Sequence, residues 1–133
     1  MADLRARLAV AQRAWASLEA LASEPFSTVV RDATIKRFEY AVETAWKAAQ
    51  AVLDRRFGVM LASPKPIVRA CLANGLLSEA DARAALVMLD QRNLTAHTYN
   101  ETLASEIFAA IDGHRALLRR WLDALDQAAE AGE

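Results

Sequence analysis

Apolar residues recur along this chain at alternating steps of four and three, the spacing of helices that each bury one face. Leu4, Leu8, Ala11, Trp15, Leu18 and Ala22 predict a first helix over about residues 2–22, stopped by Ser23-Glu24-Pro25. Ile35, Phe38, Val42, Ala45, Ala49 and Val52 predict a second over about 30–57, with Gly58 as its end signal. Ser63-Pro64 sets a capping residue before a proline at the first helical position, opening a short third helix that ends near Asn74-Gly75. Ser78-Glu79-Ala80-Asp81 opens a fourth, with acidic residues at the positive end of the helix dipole. A fifth runs from Asn100 or Thr102 to about Ala128 through Leu103, Ile107, Ile111, Leu118, Trp121 and Leu125, with fraying expected beyond Gln127. No strand pattern competes, and short connections favour antiparallel neighbours. The expected fold is an all-α, up-and-down bundle of about five helices, a four-helix bundle with a short helix added, forming one domain over residues 1–133.

The fourth helix departs from this pattern at its end. Its stripe of Ala82, Ala85, Leu86 and Leu89, continued by three and four residues, arrives at Asn93, Ala96 and His97, where polar groups replace aliphatic ones. A buried face that turns polar needs either a hydrogen-bond network or a partner surface. The same stretch, Asp90-Gln91-Arg92-Asn93-Leu94-Thr95-Ala96-His97-Thr98-Tyr99, holds an arginine, a histidine and a tyrosine at fixed spacing.

Composition narrows the classes. Lysine and arginine number 16 against 17 aspartates and glutamates, so the net charge of −1 gives no bulk drive toward nucleic acid, and any RNA contact must be local. The single cysteine, Cys71, lies in a mostly apolar segment and is expected to be a small buried hydrophobe in a reducing cytoplasm. No run of apolar residues is long enough to span a membrane, and the start of the chain is charged, so a cytoplasmic, unexported protein is expected. There is no Gly-rich phosphate loop, no Cys/His metal set and no Ser-His-Asp arrangement, so neither a metal nor a cofactor is expected.

Arg92-x4-His97-x-Tyr99 resembles the motif of HEPN domains, and in its tyrosine-bearing form the helical partners of minimal nucleotidyltransferases. Phe38-Glu39, Glu43-x-x-Trp46-Lys47, Ser63-Pro64 and Gly75-Leu76-Leu77 are similar to the nucleotidyltransferase substrate-binding branch of that group, over roughly residues 30 to 120. The resemblance implies a homodimer with two motifs facing across the interface, a cognate minimal nucleotidyltransferase as partner, and RNA as a substrate. It implies a toxin-like, metal-independent endoribonuclease in which Arg92 and His97 are catalytic, or else a substrate-binding subunit without cleavage activity. It also implies that the partner transfers adenylyl groups to Tyr99. Asn93, Glu39, Glu43 and Lys47 are then candidates for lining the motif groove.

The chemistry is legible in the residue types. Histidine is the side chain that ordinarily titrates near neutral pH, so His97 can exchange protons with a ribose 2′-hydroxyl or a leaving 5′-oxygen. Arg92 offers a planar, always protonated donor set to the scissile phosphate. Five residues apart, the two differ by about 140° around an ideal helix, so a second chain or a bend at the helix end is needed to converge them. The residues alone favour a structural role, in which His97 caps the fourth helix and Arg92 pairs with Glu39 or Glu43, and Tyr99 can be an interface aromatic. Glu39, Glu43 and Lys47 share a helix face at four-residue steps, and Glu43 with Lys47 is a helical ion pair in its own right. Trp46 and Phe38 are expected in the core, and His114 as a hydrogen-bonded packing histidine. Arg115, Arg119 and Arg120 are expected on a solvated face, with an RNA-contacting patch as the alternative.

Overall fold

The computed structural model describes residues 3–97 and 99–131. Among these, five α-helices and one short 3₁₀ turn follow the predicted order: α1 Asp3–Glu19, α2 Thr28–Phe57, α3 Pro64–Ala73, α4 Glu79–Leu94, the turn Thr95–His97, and α5 Glu101–Ala131. The fold is an all-α helical bundle. The predicted start of the first helix at residue 2 lies outside the described residues.

Each boundary has a local cause. The last helical residue of α1 is Glu19, three residues before the expected end, and single backbone bonds from Leu21 to Leu18 and from Glu24 to Leu21 carry the chain to Pro25. A residue before proline is pushed out of the helical region, so the chain unwinds ahead of it. α2 starts two residues earlier than expected because Ser27 is extended and its hydroxyl accepts from the Val30 N–H at 3.0 Å. It ends at Gly58, whose left-handed φ of 67° lets the Val59 N–H reach back to the Leu53 carbonyl at 3.0 Å. Ser78 caps α4 by accepting from the Asp81 N–H at 3.1 Å. Ser63 takes the same extended shape before α3 without a side-chain bond, so Pro64 alone sets that start. α5 does not fray at Gln127: Ala129 is buried, and Arg56 donates to its carbonyl at 2.9 Å.

Long-range contacts fix the directions. Arg7 meets Gln50 and Arg37 meets the Ser17 carbonyl, so α1 and α2 are antiparallel. Asp81 meets Arg120 and Gln91 meets His114, so α4 and α5 are antiparallel. Arg31 meets Glu101, Phe38 stacks on His114 and Arg56 meets Ala129, so α2 and α5 run parallel. α2 and α5 therefore form the inner diagonal of the bundle, with α1 and α4 on opposite sides; among the described residues α1 and α4 do not touch. α3 bridges α2 and α4. Every apolar position predicted to face inward on α2 is buried, as are Ile107, Ile111, Leu118, Trp121 and Leu125 of α5. Trp46 packs against this core but is only partly buried. Cys71 is fully buried, and burial pushes its thiol up to about 11. No helix is long and apolar enough to cross a membrane among the described residues.

His114 is the packing histidine expected of it. It is 7% exposed, stacks on Phe38 with ring centroids 5.2 Å apart, and lies 2.5 Å from Gln91 Oε1. Since that oxygen only accepts, the neutral ring carries its proton on Nε2 and donates it. Burial lowers the pKa of His114.

Two measurements follow from this architecture. In urea unfolding, Ser27→Ala should cost about 1 kcal/mol, whereas Ser63→Ala should cost much less; equal losses would contradict the capping difference. As pH falls below the ordinary histidine value of about 6.5, the unfolded chain takes up a proton that buried His114 refuses. Stability should therefore be fully present well above that pH and decline as pH falls through it toward pH 5, with a shallower decline in His114→Asn. An identical pH profile for the two proteins would place the titration elsewhere.

Candidate functional site

The end of α4 does not continue its buried stripe through Asn93, Ala96 and His97. The helix tightens into the 3₁₀ turn, and Thr95 takes the inward position, buried, with its hydroxyl donating to the Arg92 carbonyl at 2.7 Å. Thr95 thus fills the capping role considered for His97. Asn93, Ala96 and His97 are exposed, and the Tyr99 side chain beyond them is 84% exposed. The Tyr99 ring meets the His97 ring edge-on at 6.1 Å between centroids. Thr98, between them in the motif, lies outside the described residues.

This exposed pair stands on a fixed frame. Asn100 donates its N–H to the His97 carbonyl at 3.1 Å, and its side chain accepts from the Leu103 N–H at 3.2 Å, opening α5. Glu101, the first residue of α5, receives both terminal nitrogens of Arg31 at 2.7 and 3.3 Å, while Arg31 Nε reaches Asp32 at 3.0 Å. Arg31 is only 5% exposed. The two carboxylates raise the pKa of Arg31, and the hydrogen bond from Arg31 holds the Glu101 carboxyl below its usual range. Sequence reasoning missed Arg31, although it lies one turn before Ile35 on the buried stripe of α2. A cation on an apolar face is itself a signal that a carboxylate waits opposite.

Arg92 is held on the α2 side of the motif. Of the two partners expected for it, the structure selects Glu43, at 3.0 Å from Nε. The N–H does not point along this contact, so the pair is an ion pair and not a directed hydrogen bond. Glu43 also lies 4.0 Å from Lys47, whose ammonium stands 5.8 Å from the centre of the Trp46 ring. Glu39 instead faces Lys36 at 3.8 Å. Arg92, Glu43 and Lys47 are thus brought together, His97 and Tyr99 form a second pair, and Asn93 is exposed.

The arginines of α5 are all engaged. Arg115 is buried against the Leu18 carbonyl and Asp112, contrary to the solvated position expected for it. Arg119 lies 4.9 Å from the Trp15 ring centre and pairs with Asp123. Arg120 makes two 3.0 Å bonds to Asp81, joining α5 to the start of α4.

No protein of curated function matches the sequence. Among solved structures, a protein from Thermus thermophilus is similar to this chain at 46% identity and a TM-score of 0.83, covering 86% of this chain and 98% of its own. A chain from a crystal structure of a toxin–antitoxin with AMP-PNP shares the fold at a TM-score of 0.75 and 12% identity, covering 94% of this chain and 98% of its own. The family described as nucleotidyltransferase substrate binding protein like matches residues 6–127, nearly the whole length. This chain belongs to that family of nucleotidyltransferase substrate-binding-like proteins.

Proposed function

We propose that this chain is the HEPN-type partner of a minimal nucleotidyltransferase in a two-component, toxin–antitoxin-like system, and that it is a metal-independent endoribonuclease controlled through Tyr99. The observation that carries the reading is the exposed His97–Tyr99 pair on a turn clamped at both ends, beside a half-buried Arg92. In the proposed reaction His97 accepts the proton of a ribose 2′-hydroxyl as that oxygen attacks the adjacent phosphorus. The bond from phosphorus to the 5′-oxygen breaks, that oxygen takes a proton from water, His97 returns its proton to solvent, and the product carries a 2′,3′-cyclic phosphate. Arg92 offsets the charge that gathers on the non-bridging oxygens.

Homodimerisation is part of this reading. Ala80, Ala84, Val87 and Leu94 are exposed and lie at steps of four, three and seven, giving α4 a second apolar ridge that leads to the motif. Two such ridges packed about a two-fold axis would bring both copies of Arg92 and His97 into one groove. For control, the Tyr99 hydroxyl attacks the α-phosphorus of ATP in the partner's active site. The bond to pyrophosphate breaks and the phenolic proton is lost. The added phosphate then competes with RNA for Arg92.

A second reading, a substrate-binding subunit without cleavage activity, draws on the Arg92–Glu43 ion pair, which occupies the cation that catalysis would use. Cleavage assays separate the two. On the enzyme reading, purified protein cuts RNA in the presence of a metal chelator, and His97→Ala or Arg92→Ala lowers the rate roughly a hundred- to ten-thousand-fold with the fold retained. Intact RNA, or normal cutting by both variants, would leave the binding subunit as the function. With the cognate nucleotidyltransferase, ATP and magnesium, mass spectrometry should find adenylyl additions that Tyr99→Phe abolishes. An adduct on Tyr40 instead would refute control through Tyr99.

A further inference from the structure

The polar ridge of α2 does not end at the motif. Glu43, which holds Arg92, is followed along the helix by Lys47, and from there the seam between α1 and α2 carries two successive hollows. The first, about 250 Å³, is floored by Ala6, Val10 and Thr44 and edged by Lys47 and Arg7. The second, about 530 Å³, shares Arg7 with the first, has Leu4, Ala51, Met60 and Leu61 on its apolar walls, and ends at Arg55.

The second hollow is built, not incidental. The left-handed turn at Gly58 sends the chain back along α2 as its outer wall. Gln50 ties that wall down, donating to the Leu61 carbonyl at 2.7 Å while accepting from Arg7 at 3.1 Å. Met60 is left 81% exposed at the opening. Four cations thus follow one another from the motif: Arg92, Lys47, Arg7 and Arg55, with a mostly apolar hollow in the second interval and one of mixed lining, which also carries Asp3 and Asp54, in the third. From Glu43 to Arg55 the rise of α2 is about 18 Å.

Hollows with apolar walls, each large enough to admit a base, that alternate with cations suit a polyanion whose flat apolar groups are spaced between its charges, which is a single strand of nucleic acid. Of the carboxylates along the track, Asp3 is taken up by Arg7 at 3.1 Å and Glu43 by Arg92 and Lys47. Asp54, on the wall of the second hollow, makes no ion pair among the described residues and is an acceptor for a ribose 2′-hydroxyl. We propose that the α1–α2 seam is an extended subsite for single-stranded RNA. It leads the strand away from Arg92, with phosphates at Lys47, Arg7 and Arg55 and bases in the two hollows. The proposal rests on the RNA reading above, and supplies what that reading lacks, a path for the substrate beyond the scissile bond.

The test uses His97→Ala full-length protein, to prevent cleavage, and fluorescence anisotropy of labelled oligouridylates of three and eight nucleotides. The eight-mer should bind more tightly than the trimer. Arg55→Gln and Val10→Asp should each weaken the eight-mer about five- to tenfold, and Arg55→Gln should lower the salt slope by about 0.7. Arg69→Gln, which removes an exposed cation on α3, should leave it unchanged. Arg55 is exposed, so its substitution reads binding even where Val10→Asp harms the fold. Tight eight-mer binding that neither folded variant disturbs overturns the extended subsite and leaves the RNA reading standing. Failure of any oligonucleotide to bind overturns both.

Discussion

The parallel pairing of α2 with α5 is the contact on which the rest of this bundle depends. Two long helices packed across the centre must bury a wide face each, and the buried positions of α2, which also packs on α1 and α3, include many small residues, Ala41, Ala45, Ala48 and Ala49, among Phe38, Val42 and Val52. Small side chains let helix axes approach, and the larger Ile111, Leu118, Trp121 and Leu125 of α5 contribute the volume. Three polar or aromatic contacts pin the register along the pair: Arg31 with Glu101 at one end, Phe38 on His114 in the middle, and Arg56 with the Ala129 carbonyl at the other. With the diagonal set, α1 and α4 can only lie on its two flanks, and the polar ridge of α2 is left facing solvent between them.

That arrangement explains how an exposed site can also be an ordered one. The link from α4 to α5 must turn the chain back within a few residues, so most of its side chains have no core to enter. Thr95 and Glu101 are the exceptions, one buried at the start of the link and one clamped by Arg31 at its end. Behind them, Gln91 is bonded to buried His114. His97 and Tyr99 are therefore held outward by backbone fixed on both sides. Orientation of this kind is what proton transfer or group transfer at a side chain requires.

Much of this was legible in the sequence, for reasons that also define its limits. Periodicity alone picked out the buried faces of α2 and α5, because long helices in one core repeat the same signal many times. It failed at the end of α4, where a tightening of the backbone rotates the next residues and one position decides which side chain is buried. Thr95, not Asn93 or His97, faces inward. Expecting Arg115 on a solvated face failed for a related reason: a long side chain can bury its stem and still reach a carbonyl and a carboxylate. Arg31 could have been found from its place on an apolar stripe, but its partner is 70 residues away and no local pattern names it. The seam between α1 and α2 left no mark in the sequence, since its second hollow comes from the return of the chain after Gly58 over α2 and its first from the spacing of two helices distant in sequence.

Glu43 concentrates the functional question in one carboxylate. It balances Arg92 closely and Lys47 loosely, and a phosphate arriving in the groove would compete for both cations at once. On the proposed reading, a phosphate diester offers two non-bridging oxygens to Arg92 and neutralises the single positive charge left over among Arg92, Lys47 and Glu43, while Glu43 stays beside Lys47 along its own helix. The ion pair with Arg92 lacks an aligned hydrogen bond, so the exchange sacrifices Coulomb attraction at a partly exposed site and little directional bonding. On the proposed reading, the occupied arginine is a resting arrangement that a ligand phosphate would replace, and the same carboxylate would set a threshold against a weak or misplaced anion.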